Sequence, residues 1–114
     1  MHNTVKNKSF LFAVRIVNLC KYLRTNKREH ILSKQLLRAG TSIGANVAES
    51  QHAQSRPDFT SKLNIALKEA TETDYWLRLL HETAYLSERE FSSIIADCRE
   101  VESLLAAIVK TLKE

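Results

Sequence analysis

Glycine and proline are nearly absent from this chain, which has two glycines and one proline in 114 residues. An all-β chain of this length needs turn residues every few positions, so that class is excluded. Cysteine is scarce as well. Cys20 and Cys98 are far apart and show no CxxC spacing, which rules out the usual zinc signatures. Both fall at apolar helical positions and read as small buried thiols of a reducing compartment. No apolar run approaches the ~20 residues that cross a bilayer. Lysines followed by apolar residues near the start look like a secretory signal. However, Arg15 and Asn18 interrupt the apolar block, and Leu19 stands where a cleavage site needs a small side chain. The expected location is the cytoplasm. No internal repeat of about 20–50 residues is present, which argues against a solenoid.

What the chain does contain is helical periodicity, and residues 1–114 read as a single domain. Phe12, Ile16, Leu19 and Leu23 make one stripe, with Ala13, Val17 and Cys20 beside it. Leu32, Leu36, Ala39, Ile43 and Val47 make a second. Phe59, Leu63, Ala66, Ala70, Thr73, Leu77, Leu80 and Ala84 alternate steps of four and three, a heptad seam. Phe91, Ile94, Cys98, Val101, Leu105, Ile108 and Leu112 repeat that pattern. Ser55 is placed to cap the third helix, with Pro57 and Asp58 in its first turn. Ser87 and Glu90 form a capping box for the fourth. Helices are predicted near 9–24, 30–52, 56–85 and 88–112. The fold class is all-α: an antiparallel, up-down, left-handed four-helix bundle with near-parallel packing.

The second helix is unusual in holding both glycines. Each internal glycine costs a helix about 0.8–1 kcal/mol relative to alanine. Gly40, Gly44 and Ala48 share one stripe, so a close approach by another helix is expected there. A polar stripe of Arg38, Ser42, Asn46 and Glu49 borders the core, and Glu69 and Glu72 do the same on the third helix. A hydrogen-bond network joining the two helices is the favoured reading, because an unpartnered buried polar group costs about 1–3 kcal/mol. Apolar residues also lie off the seams: Ile65, Trp76 and Leu79 on the third helix, and Ile95, Leu104 and Val109 on the fourth. Surplus apolar faces of this kind point to self-association.

Charge is distributed unevenly. Residues 1–40 carry nine Lys/Arg against Glu29 alone, a net +8, while residues 41–114 carry a net −4. Lys8, Arg15, Lys21, Arg24, Lys27, Arg28, Lys34 and Arg38 are the candidate contacts to a polyanion. Reaction chemistry is missing. Glu49-x-x-His52 has the spacing of a di-iron half-site, but no second Glu-x-x-His exists to complete it. The Gly40-x-x-x-Gly44 pattern lacks the Lys-Ser/Thr of a phosphate loop, and Ser42 has no histidine near it in the helix. Neither a metal nor a cofactor is expected.

Residues 35–49, with Arg38-Ala39, Ser42-Ile43, Asn46 and Ala48-Glu49, resemble a family signature. The family comprises small four-helix-bundle proteins encoded in intervening sequences of bacterial 23S rRNA genes. A second block agrees: Ser55-Arg56-Pro57-Asp58-Phe59, then Leu63 to Ala70, Glu72-Thr73 and Trp76-Leu77. The resemblance implies a ring-forming bundle, typically a homopentamer, without established enzymatic activity. It also points to a related accessory protein of diversity-generating retroelements, a basic pentameric barrel that binds nucleic acid. Two departures stand out. Ser50-Gln51-His52 replaces the family's Glu-Gly-x-x-Arg continuation, and Asn26-Lys27-Arg28-Glu29 replaces a proline-containing loop. The expected function is therefore non-enzymatic: an oligomer that binds RNA or DNA with little sequence preference through its basic N-terminal surface. The alternative is a protein-interaction scaffold with no nucleic-acid role. Neither a membrane nor a small-molecule substrate is expected as a partner.

Overall fold

The apolar stripes become the inner faces of four helices. The computed structural model describes residues 2–114, with side chains from Thr4 onward. These residues form α1 (His2–Asn26), α2 (Leu32–Ser50), α3 (Arg56–Glu82) and α4 (Glu88–Lys113), with no strand among them. The α3 seam is buried from Leu63 to Leu80, and the α4 seam from Ile94 to Ile108. Leu36, Ala39, Ile43 and Val47 of α2 are fully buried. Each large apolar side chain enclosed this way contributes about 1.5–3 kcal/mol. The inward line of α1 is Val5, Ser9, Phe12, Ile16, Cys20 and Leu23, so Cys20 takes the place expected for Leu19.

Contacts join α1 to α2, α2 to α3 and α3 to α4, while α1 and α4 close the bundle with the thinnest seam. Ser9 lies against Gly44, Ile16 against Gly40, and Cys20 against Ser33. Glu49 meets Lys62 and Arg38 meets Glu69; Asp74 meets Arg99 and His81 meets Glu88. At every seam the partner's number falls as the other rises.

Helix ends depart from the sequence reading for local reasons. α1 starts at His2 instead of near residue 9. Val5 and Ser9 extend its buried line backward, and the polar Lys6-Asn7-Lys8 run hides that continuation in the sequence. α2 starts at Leu32 instead of 30 because the Glu29 carboxylate accepts the N–H groups of Ile31, Leu32 and Ser33 at 3.1, 2.9 and 2.7 Å. α2 also stops at Ser50, where the Ser50 hydroxyl folds back onto the Val47 carbonyl at 2.6 Å. α3 stops at Glu82, not 85. Ala84 takes a left-handed φ of 68°, the Tyr85 N–H reaches the Leu80 carbonyl and the Ala84 N–H the His81 carbonyl. That is a Schellman ending built without glycine. α4 starts with the expected box, since Ser87 Oγ accepts the Glu90 N–H at 3.1 Å and Glu90 accepts the Ser87 N–H at 2.8 Å. Ser55 likewise caps α3 through the Asp58 N–H.

Much of the surplus apolar surface is used internally. Ile95 and Val109 are buried, and Trp76 and Leu104 pack against the core. On the outer face of α1 it persists: Phe10 is 65% exposed and Leu11 62%.

A Cβ on Gly40 would stand 2.8 Å from both Ile16 Cγ1 and Cγ2, atoms near the root of a branched side chain. One on Gly44 would stand 3.2 Å from the Ser9 carbonyl oxygen. Overpacking costs about 1–3 kcal/mol against a propensity gain under about 1. Gly40→Ala and, more strongly, Gly44→Leu are therefore expected to lower the thermal midpoint; unchanged melts would contradict the close approach. Ala84→Gly should act oppositely, adding up to about 1 kcal/mol by relieving the left-handed residue. A denaturant midpoint that stays put or falls for this variant would reject that assignment.

Candidate nucleic-acid interface

The eight cations singled out from the sequence do not share one fate. Lys8 Nζ pairs with Glu100 at 2.9 Å, and Arg15 Nη1 with Asp97 at 2.6 Å. Arg15 also donates to the Ser93 carbonyl and hydroxyl, so both residues fasten α1 to α4. Arg38 spans α2 and α3, donating to Glu69 at 3.1 Å and to Glu72. Arg24 donates to Ser33 Oγ at 3.3 Å. Lys21, Lys27, Arg28 and Lys34 are exposed and make no ion pair among the described residues. These four, with Arg24, gather where α1 ends and α2 begins.

The turn between α1 and α2 is closed by backbone hydrogen bonds. The Leu23 carbonyl accepts the N–H groups of both Lys27 and Glu29, and Arg28 between them takes a φ of 53°. Glu29 then turns inward and is buried. Burial would raise its carboxyl, but the N–H groups of Leu32, Ser33 and Ile31 outweigh that and hold it below the usual 4.5. The lone acid among these cations is thus spent on the α2 N-terminus, away from solvent. Its capping role could not be read from the sequence, because Glu29 stands outside the usual cap positions. Arg89, at the start of α4, is a further exposed cation without an ion pair among the described residues. It lies in a segment whose charge is otherwise mostly acidic, so only the fold brings it near Tyr22 of α1.

The polar stripe divides. Arg38, Glu69 and Glu72 form the cross-helix cluster, and Trp76 Nε1 donates to Glu72 at 2.9 Å. Ser42 Oγ and Asn46 Nδ2 instead bond to the Arg38 and Ser42 carbonyls of their own helix. Glu49 pairs with Lys62 at 3.1 Å. Gly40 and Gly44 meet α1, whereas Ala48 is exposed beyond that contact. Among the described residues, no buried side-chain nitrogen or oxygen lacks a partner. The interior therefore offers no orphaned polar group for a ligand to satisfy. Burial pushes the Cys20 thiol up to about 11 and the Cys98 thiol up to about 12. Both stay protonated and unreactive near neutral pH.

A family model described as 23S rRNA-intervening sequence protein matches residues 1–107. The chain belongs to that family. A solved Bacteroides thetaiotaomicron protein, described as of unknown function and from the S23 ribosomal protein family, is 56% identical. It superposes with a TM-score of 0.94, the match covering 96% of this chain and 97% of that one. The comparison with curated proteins returned no match. Among the described residues, no helix is long and apolar enough to cross a membrane.

For this family member, Glu29 sets an acid limit. Because its folded-state pKa is lowered, its stabilisation is present above the unfolded value of 4.5 and is lost as pH falls through the folded value. Glu29→Ala should destabilise the protein by about 1–3 kcal/mol near neutral pH, since three N–H groups lose their acceptor. Glu29→Gln should flatten the pH dependence below about 4.5 in thermal melts. A variant whose acid profile matches the parent's would overturn this assignment.

Proposed function

We propose that this chain is a non-enzymatic, cytoplasmic protein that self-assembles into a ring, a homopentamer, and binds RNA or DNA with little sequence preference. Each subunit would be an antiparallel, left-handed bundle. The observation carrying the reading is the sorting of cations: three of the candidates are spent on internal seams, while Lys21, Lys27, Arg28 and Lys34, at one end, make no ion pair among the described residues. Free lysines and arginines without base-reading motifs favour phosphate contact over sequence recognition. The family's association with rRNA genes adds to the case. In a ring these ends would repeat, and several weak phosphate sites acting together give useful affinity. The exposed α1 residues Phe10, Leu11 and Val14 supply an apolar surface for assembly. The same ridge also suits a different protein partner, which is the observation favouring the scaffold reading.

Two measurements decide between these. Light scattering on the eluting protein should give a pentamer mass; a monomer at micromolar concentration would refute assembly, and another multiple would refute only the number. Gel-shift titrations should show binding that weakens steeply with salt. Replacing Lys21, Lys27, Arg28 and Lys34 with glutamine should lower the affinity and shallow the log–log salt slope by roughly 0.7–0.9 for every phosphate no longer neutralised. Absence of any complex at low salt would leave the scaffold reading.

A further inference from the structure

The seam between α1 and α4 is the thinnest in the bundle, and beside the free cations it opens into a cleft of about 460 Å³. This lies within the range of about 300–1,000 Å³ typical of small-molecule clefts. Its apolar surface comes from Leu19, Ile94 and the half-buried ring of Tyr22. Its charged lining is Arg15, Arg89 and Glu90, with Asn18 and Ser93 beside them. Arg15 is not free to wander, because the Ser93 carbonyl, the Ser93 hydroxyl and Asp97 all accept hydrogen bonds from it. Its planar guanidinium is therefore already ordered at the cleft. The Ser87 N–H donates to the Glu90 carboxylate at 2.8 Å and, with smaller contributions from Tyr22 and Lys27, holds it below the usual 4.5. The result is a recess with one aromatic ring, a guanidinium held by three hydrogen bonds, a carboxylate held by the Ser87 N–H, and Arg89, which makes no ion pair among the described residues.

We propose that this cleft takes a single unpaired nucleobase, so that the protein binds single-stranded nucleic acid in preference to duplex. The proposal rests on the nucleic-acid reading above and names the part of the ligand that charge alone does not select. Aromatic rings and arginine planes hold bases by stacking, which tolerates any base because each has a π-face. Arg89 on the cleft and Lys27, whose charge acts on Glu90, are the cations available to the phosphates flanking an inserted base. Glu90 offers an acceptor to an exocyclic amine or ring N–H. A base already paired in a duplex has neither its faces nor that edge free. A peptide would meet the same recess, but an apolar slot rimmed by cations with no line of free backbone partners suits a nucleotide better.

The experiment compares three probes of equal length at one salt concentration, using the full chain in its assembled state: oligothymidylate, the same backbone without bases, and a blunt duplex. Oligothymidylate should bind tightest, by roughly tenfold over the abasic strand, the magnitude expected of one or two stacked bases. Tyr22→Ala should remove most of that difference while leaving the salt slope unchanged, whereas Arg89→Gln should shallow the slope. The abasic probe tests the proposal on the unmodified protein even if Tyr22→Ala is too unstable to assay. Equal binding of all three probes, or tighter binding of the duplex, would overturn the nucleobase cleft and leave the charge-led reading standing. No binding of any probe at low salt would overturn both.

Discussion

Two helices approach closely only where one of them carries no side chain, and in this bundle that place is Gly40 and Gly44. Ile16 sits on one and the Ser9 backbone on the other. Drawing α1 into α2 has consequences around the whole ring of helices. The helix turned toward α2 makes the least contact with α4, and their seam is bridged at its surface by Lys8–Glu100 and Arg15–Asp97 and gapes beside Tyr22. The opposite flank of α1 is left outside, with Phe10, Leu11 and Val14 in solvent. The strongest packing contact of α1 thus creates both surfaces on which the functional reading depends.

The electrostatics follow from that geometry. A helix with five cations and no acid would repel its own kind, yet α1 lies against α4, which sets Asp97 and Glu100 opposite it. Pairing there consumes Lys8 and Arg15 near the middle of the seam. Surface pairs of this kind are worth at most about 1 kcal/mol each, so they orient the seam more than they stabilise it. Beyond the last pair the chain turns, Glu29 is drawn inward by three N–H groups, and Lys21, Lys27, Arg28 and Lys34 are left without an ion pair among the described residues. Capping one helix is thus what leaves the basic end uncompensated.

The sequence by itself determined the class, the number of helices and most of the core. Heptad seams on the third and fourth helices encode which residue turns inward, and both serine caps were legible because capping depends on residues three apart. The two glycines announced a close approach, and the pair of separated motifs carried the family. Residues whose roles depend on local geometry outside those rules were not legible: Glu29 as a distant cap, Ala84 in a left-handed ending, Val5 and Ser9 behind a polar run. The cations show the limit most clearly. Lys8 and Lys21 are indistinguishable as sequence, yet one meets Glu100 and the other meets no acid among the described residues, a difference set by a helix at the far end of the chain. Arg89 joins Tyr22 for the same reason. Periodicity is a property of neighbours along the chain, so the sequence states it; partnership across a seam depends on the register between helices, and only the tertiary structure decides that.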